Sequence, residues 1–245
     1  MKKILSFLAA LVLYFLFFYF VVAQSNINNL DFEPYWRFRK VILTGWLNTI
    51  MISTISILLS LVVGLILYAM KESRLKIFNY MAEIHQTIIF GTPLLVIAIV
   101  SFYYIGNAFG IDSPVATGCI TLALYIGAYI ADIYKGAIEG IHTNQWQGAK
   151  MFGFTTYQTY RYIIFPQIIK SILPPLAGQF ALTIKGSALL AYMATNELLN
   201  AVSNIQASSF RITEGFIIII LGYWIITIPL ISLVRRLENK TNYRT

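Results

Sequence analysis

Few side chains in this sequence are equipped for chemistry, and those that are stand far apart. The two histidines, His85 and His142, fit no four-ligand metal pattern. The single cysteine, Cys119, lies inside an apolar run with no partner for an intramolecular disulfide, and so reads as a packing residue. No GxxxxGK[ST] loop or comparable phosphate cradle occurs. What remains is Lys185, the only charge in an apolar run from about Ser171 to Asn196, with Glu197 immediately after it. An ammonium inside such a run is costly. It either faces a protein interior, where it serves function, or snorkels on its long stem to the headgroups. The sequence leaves both readings open.

A second feature is the stretch Asn144–Gly153, NQWQGAKMFG, polar enough to leave a membrane and patterned enough for a helix. Trp146, Ala149 and Phe152 recur every three residues, predicting one narrow apolar face, and Gly153 is suited to end the helix. Such a face outside lipid must bury against something: the membrane surface, the chain's own bundle or a partner.

The elements that must hold these residues are membrane spans. Of 245 residues, 58% are hydrophobic and 11% charged. No Asp, Glu, Lys or Arg occurs in residues 41–70, 84–111, 113–131 or 215–234; about 20 apolar residues cross the hydrocarbon. With the run interrupted by Lys185 and a first segment from Ile4 to Ala23, this gives six helices. Continuous runs exclude a β-barrel, whose strands alternate. A secretory signal cleaved after Ala23 competes for the first segment, but its apolar stretch is too long and Val21 fits a small-x-small site poorly. A retained anchor is the better reading. Span three is expected over about 87–105 and span four over 116–133, with short outer turns joining three to four and five to six. Gly91-Thr92-Pro93 should interrupt helix continuity, and Pro174 and Pro175 should mark the entry into span five. Ser56, Ser60 and Gly64, like Gly118 and Gly127, allow a close helix crossing.

The formal charge of +8 is distributed as a membrane protein requires. Lys2, Lys3, Lys71, Arg74, Lys76, Lys135, Lys150, Arg161, Lys170 and the C-terminal cluster fall on one side, which predicts both termini in the cytoplasm and argues against a nucleic-acid partner. Arg37, Arg39, Lys40 and Arg211 fall on the other side and break the pattern.

The stretch from 144 to 166 resembles the cytoplasmic loop of the membrane subunits of bacterial ABC importers: an EAA triplet, three residues, Gly, then hydrophobic positions leading to Pro. Gln147, Gly148 and Ala149 stand at the triplet, Gly153 at the glycine, and Ile163, Phe165 and Pro166 complete the spacing. AYIADIYKGAIEGI, GTPLLV at 91–96 and KGSALLAYMATNEL at 185–198 resemble the polar amino-acid uptake branch. The similarity extends from about Gly45 to Leu233.

The resemblance implies an all-α polytopic membrane protein with a type I ABC importer transmembrane fold, five core helices plus an additional N-terminal helix. Its parts are that helix (1–23), an extracytoplasmic segment (24–40), the transmembrane domain (41–234) with a cytoplasmic coupling loop (134–170), and a tail (235–245). It also implies a non-enzymatic permease subunit in the bacterial inner membrane that moves polar amino acids, or another small solute such as cystine or an opine. Two copies of an ATPase subunit would bind ATP and Mg, this chain binding no cofactor or metal itself. A second permease copy or sister permease and an extracytoplasmic solute-binding protein complete the implied assembly. Trp146, Gln147, Gly148, Ala149, Phe152, Gly153 and Pro166 are the implied ATPase-coupling residues. Thr92, Pro93, Lys185, Ser187, Tyr192 and Glu197 are candidates for the pathway or gate, with Glu197 at the outer face. Gln147 departs from the family's acidic residue, Gly148 from its Ala, Phe90 from an Arg and Gly186 from an Asp; the charges missing at Phe90, Gln147 and Gly186 fit either a divergent transporter or one half of an unequal pair of permeases, with a slight tilt to the latter.

Overall fold

Where water is absent, each backbone N–H and C=O needs a partner within the protein, and apolar runs meet that need as helices. The computed structural model describes residues 2–24 and 30–242. In chain order the helices are α1 (Lys2–Gln24), α2 (Glu33–Arg37), α3 (Arg39–Lys71), α4 (Lys76–Gly91), α5 (Leu94–Val100), α6 (Pro114–Glu139), α7 (Thr143–Met151), α8 (Thr156–Gln158), α9 (Phe165–Gly186), α10 (Leu198–Ser209) and α11 (Ile212–Asn242). A π-helical turn, Ser101–Gly106, extends α5; another, Thr159–Ile164, joins α8 to α9; a 3₁₀ segment, Ser187–Met193, extends α9.

Among the described residues α3, α6 and α11 are long and apolar enough to cross a membrane. α4 and the α5 segment pass the same test only jointly, and they bend by 114°. This corrects the single span expected over 87–105. Thr92 and Pro93 are both extended, because proline drives the residue before it out of the helical region and lacks the N–H that would continue the ladder. The connection expected as a short turn between spans five and six contains α10, whose start is set by a cap that periodicity does not reveal. Pro174 and Pro175 lie inside α9 and do not mark its entry. Pro166 sits at the start of α9 directly after the π-helical turn, where its missing N–H interrupts the regular hydrogen-bond ladder of a continuous helical stretch.

α6 is the central helix, buried along most of its length against α3, α9 and the α5 segment. Its approach to α3 is close enough to need glycine. A Cβ on Gly127 would stand 2.5 Å from Val63 Cγ1, and one on Gly64 would stand 2.6 Å from Ile130 Cγ2. Ser56 and Ser60 are buried on the same side of α3. Leu122, Cys119, Ile52, Leu190 and Met193 pack together where α3, α6 and the 3₁₀ segment meet, and the buried thiol is a packing group there.

Polar clasps close the two ends of the bundle. At one end, Lys71 at the close of α3 pairs with Asp132 of α6 at 3.0 Å, and the buried Gln86 of α4 donates to the same carboxylate at 3.0 Å. At the other end Arg211 pairs with Asp31 at 3.1 Å, and the Asp31 N–H donates to Glu214 at 2.8 Å. Tyr35 donates to the Arg211 carbonyl, and burial pushes its hydroxyl above the ordinary range, so it stays a donor. α11 therefore starts at the second end and runs toward the first. The described side chains of α1 are exposed along the helix, from Leu5 to Phe20.

Candidate coupling loop and translocation face

α7 projects from the first end, between α6 and α9. It stops in a pattern of hydrogen bonds that requires glycine. The Phe154 N–H donates to Ala149 O at 3.0 Å, and the Gly153 N–H donates to Lys150 O at 3.0 Å, with Gly153 at φ +73°. This reciprocal pair is the Schellman stop, in which the left-handed residue lets orphan carbonyls of the last turn find donors. A Cβ on Gly153 would meet nothing within 4 Å, so the requirement is one of backbone conformation. The chain then restarts on a capping box in which Thr155 and Gln158 exchange bonds of 3.3 and 2.9 Å.

Trp146, Ala149 and Phe152 do not form one face. Ala149 is buried, and half-buried Trp146 packs edge-on against Tyr160 with centroids 5.2 Å apart. Phe152 lies beyond the last helical residue and is 84% exposed. The three-residue spacing fails because the last member has passed the helix end, where the chain turns. Met151, not foreseen as a site residue, is 87% exposed beside it. The pair Met151–Phe152 forms an apolar tip held by the glycine stop. Gln147 is exposed, and Gly148 has open space where its Cβ would be. Gln167 holds the two arms of the loop together, donating to Gln145 Oε1 at 3.2 Å and to Ile163 O at 2.8 Å. Pro166 follows the π turn at the foot of the second arm.

The pathway candidates separate into two groups. Thr92 and Pro93 form the break between α4 and α5, while Lys185 and Tyr192 are exposed. Lys185 lines a cavity of about 470 Å³ with Ala188 and the α11 residues Ile219, Ile220, Tyr223, Trp224, Thr227 and Ile228. Among the described residues it makes no ion pair, and the buried Thr227 Oγ1 has no hydrogen-bond partner. Lys185 stands 14 residues past Ser171, about 21 Å at 1.5 Å per residue, too far for its stem to reach back to the α7 end.

Ser187 and Glu197 are different. Ser187 is fully buried and its hydroxyl donates to Ile184 O at 2.8 Å. Glu197 is also fully buried and caps α10, accepting from Leu199 N at 2.9 Å and Asn200 N at 2.7 Å. Tyr223 of α11 donates to it at 2.7 Å, and Thr49 of α3 lies at 3.5 Å. With its lone pairs engaged by three helices, this carboxylate clasps α10, α11 and α3 together. Tyr223 and Thr49 carry no sequence signal of this role, since only folding brings them to residue 197.

Residues 60–243 match the sequence profile of the family described as the inner membrane component of binding-protein-dependent transport systems. The chain belongs to that family. This inner membrane component is similar to the glutamine transport system permease protein GlnP of Escherichia coli strain K12, at 30% identity over 86% of this chain and 97% of GlnP. It is also similar to the probable amino-acid ABC transporter permease protein YckA of Bacillus subtilis, at 34% identity over 73% of this chain and 79% of YckA. A crystal structure of an amino acid ABC transporter with histidines superposes with a TM-score of 0.77 and 28% identity, covering 86% of this chain and 99% of that one. A chain of the inward-facing MetNI methionine ABC transporter, at 14% identity and a TM-score of 0.65, shares the fold. The protein is thus a multi-pass inner membrane transport subunit with the type I importer fold, of a family that works with an ATPase and a binding protein.

Proposed function

We propose that this chain forms one half of the solute pathway of an ATP-driven importer of polar amino acids, and that α7 couples it to a separate ATPase. The observation that carries the reading is the Met151–Phe152 tip, two large apolar side chains left open beside a glycine stop on a short helix outside the bundle. Exposed apolar groups on a rigid, capped projection fit insertion into a groove of another protein. The amino-acid assignment rests on relatives named for glutamine and for histidine, lysine, arginine and ornithine.

In this reading two ATPase subunits bind ATP and Mg, and their closure pushes on α7, moving α6 and α9. A second permease, identical or a sister chain, completes the pathway, and an extracytoplasmic binding protein delivers the solute. The first end of the bundle, carrying α7 and the end of α11, faces the cytoplasm, as does the start of α1. Lys185 offers its ammonium to the solute carboxylate, Thr227 and Tyr192 offer hydroxyls, and the Thr92–Pro93 break opens backbone groups. The test is ATPase copurification with the double variant Met151→Ala/Phe152→Ala. Both side chains are exposed, so thermal stability should stay at the wild-type value while recovered ATPase falls at least tenfold. Wild-type recovery would rule out the tip as the docking element.

A further inference from the structure

The four cations that break the charge pattern, Arg37, Arg39, Lys40 and Arg211, all lie at the end of the bundle opposite α7. One of them is neutralised, since Arg211 pairs with Asp31. Glu214 is buried beneath, holding the Asp31 N–H. Arg37, Arg39 and Lys40 make no ion pair among the described residues, and Glu33 is the one acidic residue left on the same short segment. Arg39 donates to Trp36 O at 3.0 Å and lies 4.9 Å from the centre of the Trp36 ring. Trp36 is 71% exposed, with Phe32 and Phe38 exposed on either side.

Depth decides what this patch meets. The apolar run of α3 begins at Val41, directly after Lys40. At 1.5 Å per residue, Arg39 and Lys40 lie within about 3 Å of the start of that run, and Arg37, the last residue of α2, precedes them across the Phe38 turn. A helix that enters the hydrocarbon at this end of its apolar run holds Arg39 and Lys40 in the headgroup layer with Arg37 next to them in sequence, beside the exposed rings that favour the same depth. The anions at that depth are lipid phosphates. We infer that Arg37, Arg39 and Lys40, with Trp36 beneath Arg39, form a binding site for the phosphate of an anionic lipid at the outer end of α3. Each cation near a charged membrane surface contributes about 1 kcal/mol, or about fivefold in partition. The site offsets the adverse placement of basic residues at this end and fixes the height of α2 and α3 against the membrane.

The test is native mass spectrometry of the full chain released from nanodiscs containing equal phosphatidylglycerol and phosphatidylcholine. The wild type should retain phosphatidylglycerol preferentially. Arg37→Gln/Lys40→Gln should reduce that preference up to about 25-fold, two fivefold factors together. Arg37→Lys/Lys40→Arg should keep it, and Lys240→Gln, at the far end of α11, should leave it unchanged. An unchanged lipid ratio in the glutamine variant overturns the inference. So does an unchanged ratio accompanied by lost docking of a binding protein, which would assign the patch to that partner. Neither result bears on the transport reading, which rests on α7.

Discussion

Replacing Gly153 separates two reasons for a glycine at the end of α7. Its φ of +73° lies in the left-handed region, where a residue with a Cβ is strained by about 1 to 2 kcal/mol. There is no crowding in the chain itself, because an added Cβ meets nothing within 4 Å. Gly153→Ala should therefore loosen the stop that joins Phe154 to Ala149 and Gly153 to Lys150, and a loss of 1 to 2 kcal/mol depletes the ordered form about 5- to 30-fold. If the partner binds only that form, its apparent affinity weakens by up to the same factor. Asn tolerates the left-handed region better and should fall between Gly and Ala. The assay is the dissociation constant of the purified ATPase for the permease in nanodiscs, measured for Gly, Asn, Ala and Leu at 153. The expected order is Gly, then Asn, then Ala and Leu together. An Ala variant with wild-type affinity refutes the backbone argument; a Leu variant far weaker than Ala shows that space in the partner's groove is what matters.

Three further outcomes follow from the packing and the cavity. Glu197→Ala removes the α10 cap, worth about 1 kcal/mol, and strands the hydroxyl donor of Tyr223 at about 1 to 3 kcal/mol, while Thr49 keeps its bond to Gly45 O, so the thermal midpoint should drop by several degrees, and Glu197→Gln should cost less. Gly127→Ala forces a methyl against Val63, whose branched side chain cannot swing aside, and should cost about 1 to 3 kcal/mol in the same melting assay, with Val63→Ala restoring only part of it because the Cβ at 63 still lies 2.8 Å from the added methyl. Lys185→Gln should raise the KM for uptake at least tenfold while leaving the thermal midpoint unchanged, because the lysine makes no ion pair among the described residues.

The sequence carries the helical segments because uncharged runs and helical spacing are local properties. The buried stripe of Ser56, Ser60 and Gly64 against Gly127 was legible for the same reason, as small residues four apart share one face. The glycine stop after α7 was legible too. Less visible were features that depend on where a helix ends or on which distant residue faces it. Phe152 keeps its period but has left the helix, so it points outward. Glu197 resembles a membrane-face carboxylate until α10 is seen to begin at the next residue and Tyr223 to reach it from α11. Pro174 and Pro175 read as a boundary, yet α9 runs through them. The 114° bend at Thr92–Pro93 was signalled as a break, whereas its angle depends on the packing of α4 and α5 against α3 and α6.

The central claim is that this chain carries solute when ATP is spent beneath it. Its most direct test is uptake of radiolabelled amino acids by proteoliposomes holding the permease with its partner permease, ATPase and binding protein, with ATP inside or outside. Saturable accumulation of a polar amino acid that needs ATP on the α7 side, and that disappears in the Met151→Ala/Phe152→Ala variant, is the predicted result. Accumulation that persists without ATP, or that the double variant leaves intact, would contradict it.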